Sequence, residues 1–297
     1  MQKPTHYTYS QSCWIVFYPY AIITALWIPL TLLVEQYIKN ELIVTFVVDL
    51  IATSIVFIQS YRYNNTSIYD FYWQIPGFYL IIYWVFRTPY QPNIWVIIVP
   101  FAYFIRHNYN FLSFWPGLTY EDFRYPVFRK KLNNEFIYWV FSYLGLHVGP
   151  TLMVYFGLFP TYYALFDSDQ DYNPFIFYFG VIFSFSALTI ETIADLQLFP
   201  WRSKKTEEFI DEGLWRYSRH PNYFGECMFW WGIFIMTLSF GFQYWFTIIG
   251  AVIMQSLFLF YSIPEMEKHI LRKRPKYYIQ QKRVSVFIPW FRNENIK

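Results

Sequence analysis

Long apolar stretches separated by short charged segments run through most of this chain, and they predict helices that cross a membrane. The candidates cover residues 14–34, 42–59, 71–86, 93–105, 136–159, 174–198, 224–240 and 242–262. A span needs about 20 mostly apolar residues. The third and fourth stretches are short, as tilted, re-entrant or partly interfacial helices would be. The run Ser239-Phe240-Gly241-Phe242 predicts a tight hairpin between the last two. The fold class expected is all-α: a polytopic membrane helix bundle of about seven to eight transmembrane helices. Residues 1–105 hold the N-terminal helices, and 106–297 hold the polar motifs and a basic C-terminal tail.

Composition agrees with that pattern. Of 297 residues, 56% are hydrophobic, 26% aromatic and only 14% charged, against about 25% charged in an average soluble domain. The basic residues lie in three clusters: Arg124 with Arg129–Lys131, Arg202–Arg219, and Lys268–Arg283. All three fall on one side only if the spans alternate as drawn. That places both termini and the basic loops on the cytoplasmic or matrix side. The segment between the fifth and sixth spans carries Asp167, Asp169 and Asp171 and no Lys or Arg. A net charge of +3 spread over separate clusters leaves no nucleic-acid footprint. Cys13 and Cys227 form neither a disulfide framework nor a metal pair. The five histidines are scattered and make no iron-binding His boxes. Residues 1–12 lack the features of a signal peptide or mitochondrial presequence, so insertion is expected from the first internal helix.

Two polar sets stand against this apolar background. The first is the segment Gly213–Glu226, which opens the seventh apolar stretch. Pro221 suits the first turn of a helix. The N–H groups after it, with Arg216, Arg219 and His220, make a positive pocket suited to a phosphate. Asn222 and Glu226, four apart, share one helix face. The plainer reading is an interfacial anchor of snorkelling arginines and belt tyrosines. The second set lies on the sixth span. Glu191, Asp195 and Arg202 fall within about 40° of one another at ~100° per residue. Carboxylates there must be paired, solvated or ligand-bound, and a structural ion pair with Arg202, Arg216 or Arg219 is the competing explanation. Asp49, alone in the second span, suggests a helix–helix hydrogen bond. The run Glu121-Asp122-Phe123-Arg124-Tyr125 reads as a solvated loop cluster.

With those residues placed, the chain resembles the steroid 5α-reductase superfamily. Its resemblance is strongest to the uncharacterised membrane branch that shares the reductase C-terminal domain. The likeness runs from about Asp70 to Trp290. It rests on Asp70-x-x-Trp73, Glu121–Tyr125, Glu191-x-x-x-Asp195-x-Gln197, Leu214–Glu226 with Trp230-Trp231-Gly232, and Pro264-Glu265-x-Glu267 leading to Tyr277 and Pro289-Trp290. Members of that superfamily bind NADPH among their membrane helices and pass its hydride to a carbon–carbon double bond of a lipid. The resemblance implies that Glu191 and Asp195 contact the adenosine or ribose and that Arg202, Arg216 and Arg219 hold phosphates. It further implies that His220, Asn222, Tyr223, Glu226 and Glu267 belong to the cofactor site. No Gly-rich dinucleotide fingerprint is present, so a Rossmann domain is not the carrier. In the steroid reductases a glutamate in the early helices and a later tyrosine polarise the substrate carbonyl. Here the second span offers Asp49 instead, and 29 tyrosines single none out. Asp70 and Glu121 are the candidate proton handlers.

The leading expectation is therefore an NADPH-dependent reductase of a lipid or steroid-like double bond, in the endoplasmic reticulum or another organelle membrane. One alternative is a non-catalytic accessory subunit of a large membrane complex, which would suit the mitochondrial inner membrane. Another is an S-adenosylmethionine-dependent membrane methyltransferase, since those enzymes share Arg-His-Pro-x-Tyr and a glutamate pair, here Glu265 and Glu267. A methyl donor without phosphates has no need for Arg202, Lys204, Lys205 and Arg216 together.

Overall fold

The computed structural model describes residues 7–167, 171–202 and 208–294, apart from the side chain of Arg202. Among the described residues the chain is helical with no strand, and an isolated bridge joins Ser218 to Ser285. The all-α expectation holds. Among the described residues, five helical stretches are long and apolar enough to cross a membrane: Tyr9–Glu35, Glu41–Arg62, Glu135–Phe166, Pro174–Trp201 and Phe242–Lys273. The count of seven to eight exceeds these five, for physical reasons visible in the remaining helices. Pro76–Arg87 has 12 residues. Trp95–Phe114 carries Arg106, His107 and two asparagines, and Pro221–Leu238 opens on Asn222 with Glu226 one turn later.

The chain folds as two compact units, Met1–Pro92 with Pro100–Leu158, and Asn93–Val99 with Phe159–Lys297. In the first, α1 (Tyr9–Glu35) starts at a reciprocal cap. The Thr8 hydroxyl accepts from the Gln11 N–H, and the Gln11 side chain accepts from the Thr8 N–H. α2 (Glu41–Arg62) starts at Asn40, which accepts from the Ile43 N–H, with Glu41 in its first turn and Arg62 in its last, matching the helix dipole. The pair packs through stripes at helical spacing: Val16, Tyr20, Ile23 and Trp27 on α1, and Val44, Val48, Ala52 and Val56 on α2. A single turn at Thr66–Ile68 leads into α3 (Tyr69–Tyr72), followed by α4 (Pro76–Arg87). The helix α5 (Trp95–Phe114), which contains Pro100, starts in the second unit and ends in the first. The first unit closes with α6 (Arg124–Leu132), α7 (Glu135–Phe141), a π-helical segment over Ser142–Val148, and α8 (Gly149–Gly157).

The second unit holds α9 (Phe159–Phe166), α10 (Pro174–Arg202), α11 (Pro221–Leu238), α12 (Ile248–Leu257), α13 (Ile263–Lys273) and α14 (Tyr277–Arg283). Its centre is the antiparallel pair α10–α11. A Cβ on Gly180 would lie 2.5 Å from the Met236 nitrogen, and one on Gly232 would lie 2.2 Å from the Ser184 Oγ. One on Gly225 would lie 2.7 Å from the Ala187 carbonyl oxygen. Glycine on both partners thus lets the backbones touch, the packing mode available where lipid removes any hydrophobic drive between helices. The predicted hairpin is present: α11 ends at Leu238, and Gly241, at φ 141°, precedes the 3-10 turn Phe242–Thr247.

Candidate functional site

The close approach at Gly225 fixes what faces what. Glu191 lies on the α10 stripe Gly180–Ser184–Ala187–Glu191, so its side chain turns toward α11 and not toward lipid; it is buried. One turn on, Asp195 accepts a hydrogen bond of 3.2 Å from Asn222 Nδ2. The other end of that amide, Asn222 Oδ1, is buried with no hydrogen-bond partner. Glu226 is buried, accepts from Trp230 Nε1 at 2.9 Å, and brings a carboxylate oxygen within 4.8 Å of one from Glu191. Three carboxylates and an amide, expected on two separate helix faces, therefore form one cluster. Acceptors dominate it, so its chemistry suits a ligand rich in hydroxyl donors. The side chain of Arg202, with Lys204 and Lys205, lies outside the described residues.

Arg219 and His220 face a different carboxylate. Arg219 Nε lies 2.7 Å from Glu267 Oε1, and both side chains are nearly buried. Glu267 also meets His220 Nε2 at 3.2 Å and accepts from Gln281 Nε2 at 2.8 Å and the Tyr277 hydroxyl at 3.3 Å. Four side chains thus converge on one acid, two of them from α14. His220 precedes α11 directly and stacks on Tyr223, with ring planes 6° apart. Burial pushes its imidazole below the ordinary 6.5, against the opposing pull of Glu267. Arg216 pairs at 3.1 Å with Glu294, an exposed carboxylate that Arg283 and Arg292 also reach. Arg292 and Arg216 hold that carboxyl down at about 2. Two of the three arginines expected to hold phosphate, Arg216 and Arg219, are thus engaged by acids of the chain itself.

The proton-handling candidates lie in the first unit. Asp70, in α3, accepts from the Tyr125 hydroxyl. Burial, reinforced by Asp122, pushes its carboxyl up to about 6, while Tyr125, Ser67 and Arg124 pull the other way. A carboxyl in that range suits proton transfer near neutrality. Glu121 is more than a solvated loop acid: its Oε1 accepts from the Thr66 N–H at 2.9 Å, at the turn leading into α3. Asp122 takes the Arg124 guanidinium at 2.7 and 3.2 Å. The helix–helix hydrogen bond expected of Asp49 is present, with a partner the sequence did not single out. The buried Tyr72 hydroxyl donates to Asp49 Oδ1 at 3.3 Å, joining α3 to α2. Asp49 was visible as a lone acid in a span; nothing in the sequence distinguished Tyr72 from its many neighbours.

No solved structure matches the chain. An uncharacterised protein of Schizosaccharomyces pombe, C594.04c, is 22% identical over 225 residues, covering 66% of this chain and 61% of that protein. The chain thus spans about three fifths of the length of the curated relative it matches. Residues 56–284 match the family model described as protein of unknown function (DUF1295), a range that includes α3, the α10–α11 cluster and Glu267. The chain is an all-helical, membrane-type protein that belongs to the DUF1295 family.

Proposed function

We infer that the protein is an integral membrane reductase that uses NADPH to saturate a carbon–carbon double bond conjugated to a carbonyl in a lipid or steroid-like substrate. The observation that carries this reading is the water-excluded pair of Asp49 and Tyr72, an acid and a tyrosine such as the reductase resemblance requires. With the carboxyl protonated, Asp49 presents an O–H to a substrate carbonyl oxygen, and Tyr72 adds a second donor by turning its hydroxyl from Asp49 to that oxygen. Negative charge developing on that oxygen is then stabilised where no water competes. Asp70 supplies a carboxyl able to hold and release a proton.

The residues of the second unit fit the cofactor by their chemistry. Asn222 Oδ1 is a buried acceptor in want of a donor, and the neighbouring carboxylates of Glu191, Asp195 and Glu226 suit ribose hydroxyls. When bound, NADPH supplies a hydride. Arg202, Lys204 and Lys205 are the groups proposed to favour it over NADH through the extra phosphate. One observation favours the accessory-subunit reading instead: Arg216 and Arg219 are already engaged by Glu294 and Glu267.

A titration of the purified protein in lipid nanodiscs, followed by cofactor fluorescence, separates these readings. Tighter binding of NADPH than NADH, weakened by Asp195→Asn and Asn222→Ala, supports the reductase. Equal affinities refute the phosphate argument. Binding of S-adenosylmethionine alone turns the assignment to a methyltransferase, and binding of neither leaves the accessory role.

A further inference from the structure

The last described segment of the chain lies along the residues that precede α11 as an extended strap. Ser285 bridges Ser218, the Arg219 N–H donates to the Ser285 carbonyl at 2.9 Å, and the Ser218 hydroxyl donates to the Phe287 carbonyl at 2.7 Å. The Trp290 N–H donates to Tyr217. One side of the strap is committed inward, since Phe287 is buried with Cys227 and Ile263. The other side is apolar and bare. Ile288 is 62% exposed, Trp290 68% and Phe291 81%, with Val286 beside them. Four large apolar groups on one short ribbon are more than a water-facing surface ordinarily carries.

Its height follows from Phe287. Cys227 stands two turns into α11, and Ile263 directly follows the apolar run 242–262, at the point where the helical stretch Phe242–Lys273 turns charged with Glu265, Glu267 and Lys268. The strap therefore lies at the boundary between hydrocarbon and water. Lys268, Arg272, Lys273, Lys276 and Lys282 are exposed on the adjoining α13, α14 and their connection. The Lys282 ammonium sits 5.6 Å from the Tyr278 ring, the pairing of cation and aromatic found at membrane interfaces.

We propose that Val286, Ile288, Trp290 and Phe291 insert into the leaflet on the basic side as an interfacial anchor, and that the surrounding lysines and arginines make this contact selective for anionic headgroups. Membrane contact by the strap keeps Ser218 and Arg219, and through them the start of α11, pinned to the chain's C-terminal segment. The occupant is lipid because the surface is continuous with a membrane span and because its charge is complementary to an anionic leaflet.

The test uses the full-length protein with a spin label at Ile288→Cys or, as an aqueous reference, Lys276→Cys. Cys13→Ser removes an accessible thiol, and Cys227, buried under Phe287, stays in place. In nanodiscs of phosphatidylcholine with phosphatidylserine, the Ile288 label is expected to relax with oxygen and to lose most of its accessibility to a water-soluble nickel chelate. The Lys276 label should show the reverse. In phosphatidylcholine alone the Ile288 label should move outward and regain chelate contact. The proposal is overturned if the two labels behave alike. It is equally overturned if Ile288 is shielded from both reagents, the signature of a covering protein, or if lipid charge changes nothing.

Discussion

Replacing Glu267 by alanine removes the acceptor for Arg219, His220, Gln281 and Tyr277 in one step. Arg219 is the costly orphan. Its side chain is 11% exposed and Glu267 13%, so neither charge is solvated enough to stand alone. Breaking a buried pair from one side costs about 3–5 kcal/mol, because a charge is left without a partner. Carbonyl contacts from Arg219 to Gln281 and Val284 survive and favour the lower end of that range. At about 2–4 °C per kcal/mol for a domain of 150–250 residues, the loss corresponds to roughly 6–20 °C in apparent Tm. Thermal unfolding of the purified protein in nanodiscs, read by tryptophan fluorescence, measures it. The double variant Arg219→Met with Glu267→Met should recover a large part of the loss, since no buried charge remains. If Glu267→Ala shifts Tm by less than about 2 °C, or the double variant is worse than the single one, the buried-hub reasoning is wrong.

Gly225→Ala pushes a methyl group to 2.7 Å from the Ala187 carbonyl and from Glu191 Cβ, and should cost about 1–3 kcal/mol as α10 and α11 separate. Gly149→Ala, whose nearest neighbour is 3.6 Å away, should be neutral in the same melting assay. His220 predicts a pH effect with a definite sign. Its folded pKa lies below the ordinary 6.5, so the unfolded chain binds more protons, and stability falls as pH drops below about 6.5. Melts from pH 7.5 to 5 should show a slope that His220→Gln flattens, and an unchanged slope would remove His220 as its source. Under the reductase reading, Tyr72→Phe should lower kcat by about 10²–10³-fold while leaving NADPH affinity unchanged. Retention of full turnover would exclude Tyr72 as a carbonyl donor.

The spacing of apolar residues was enough to announce a helical membrane protein, because a bilayer imposes a length and a polarity that can be counted along the chain. Helical periodicity likewise placed Glu191 with Asp195, and Asn222 with Glu226, since neighbours within one helix are a local property. The meeting of those two pairs was not local. It depends on the register of α10 against α11, which is set where Gly180, Gly225 and Gly232 let the backbones touch, and a lone glycine in an apolar run does not name its partner. Glu121 read as a loop acid because its acceptor role toward Thr66 spans 55 residues. Arg219 and His220 read as a phosphate pocket because Glu267, which engages both, lies 48 and 47 residues further along the chain. Tyr72 became distinct from the other tyrosines only when α3 brought its hydroxyl to Asp49. Helices and their apolar faces follow from near neighbours in sequence; which buried polar groups satisfy one another is decided by packing, where distance along the chain carries no information.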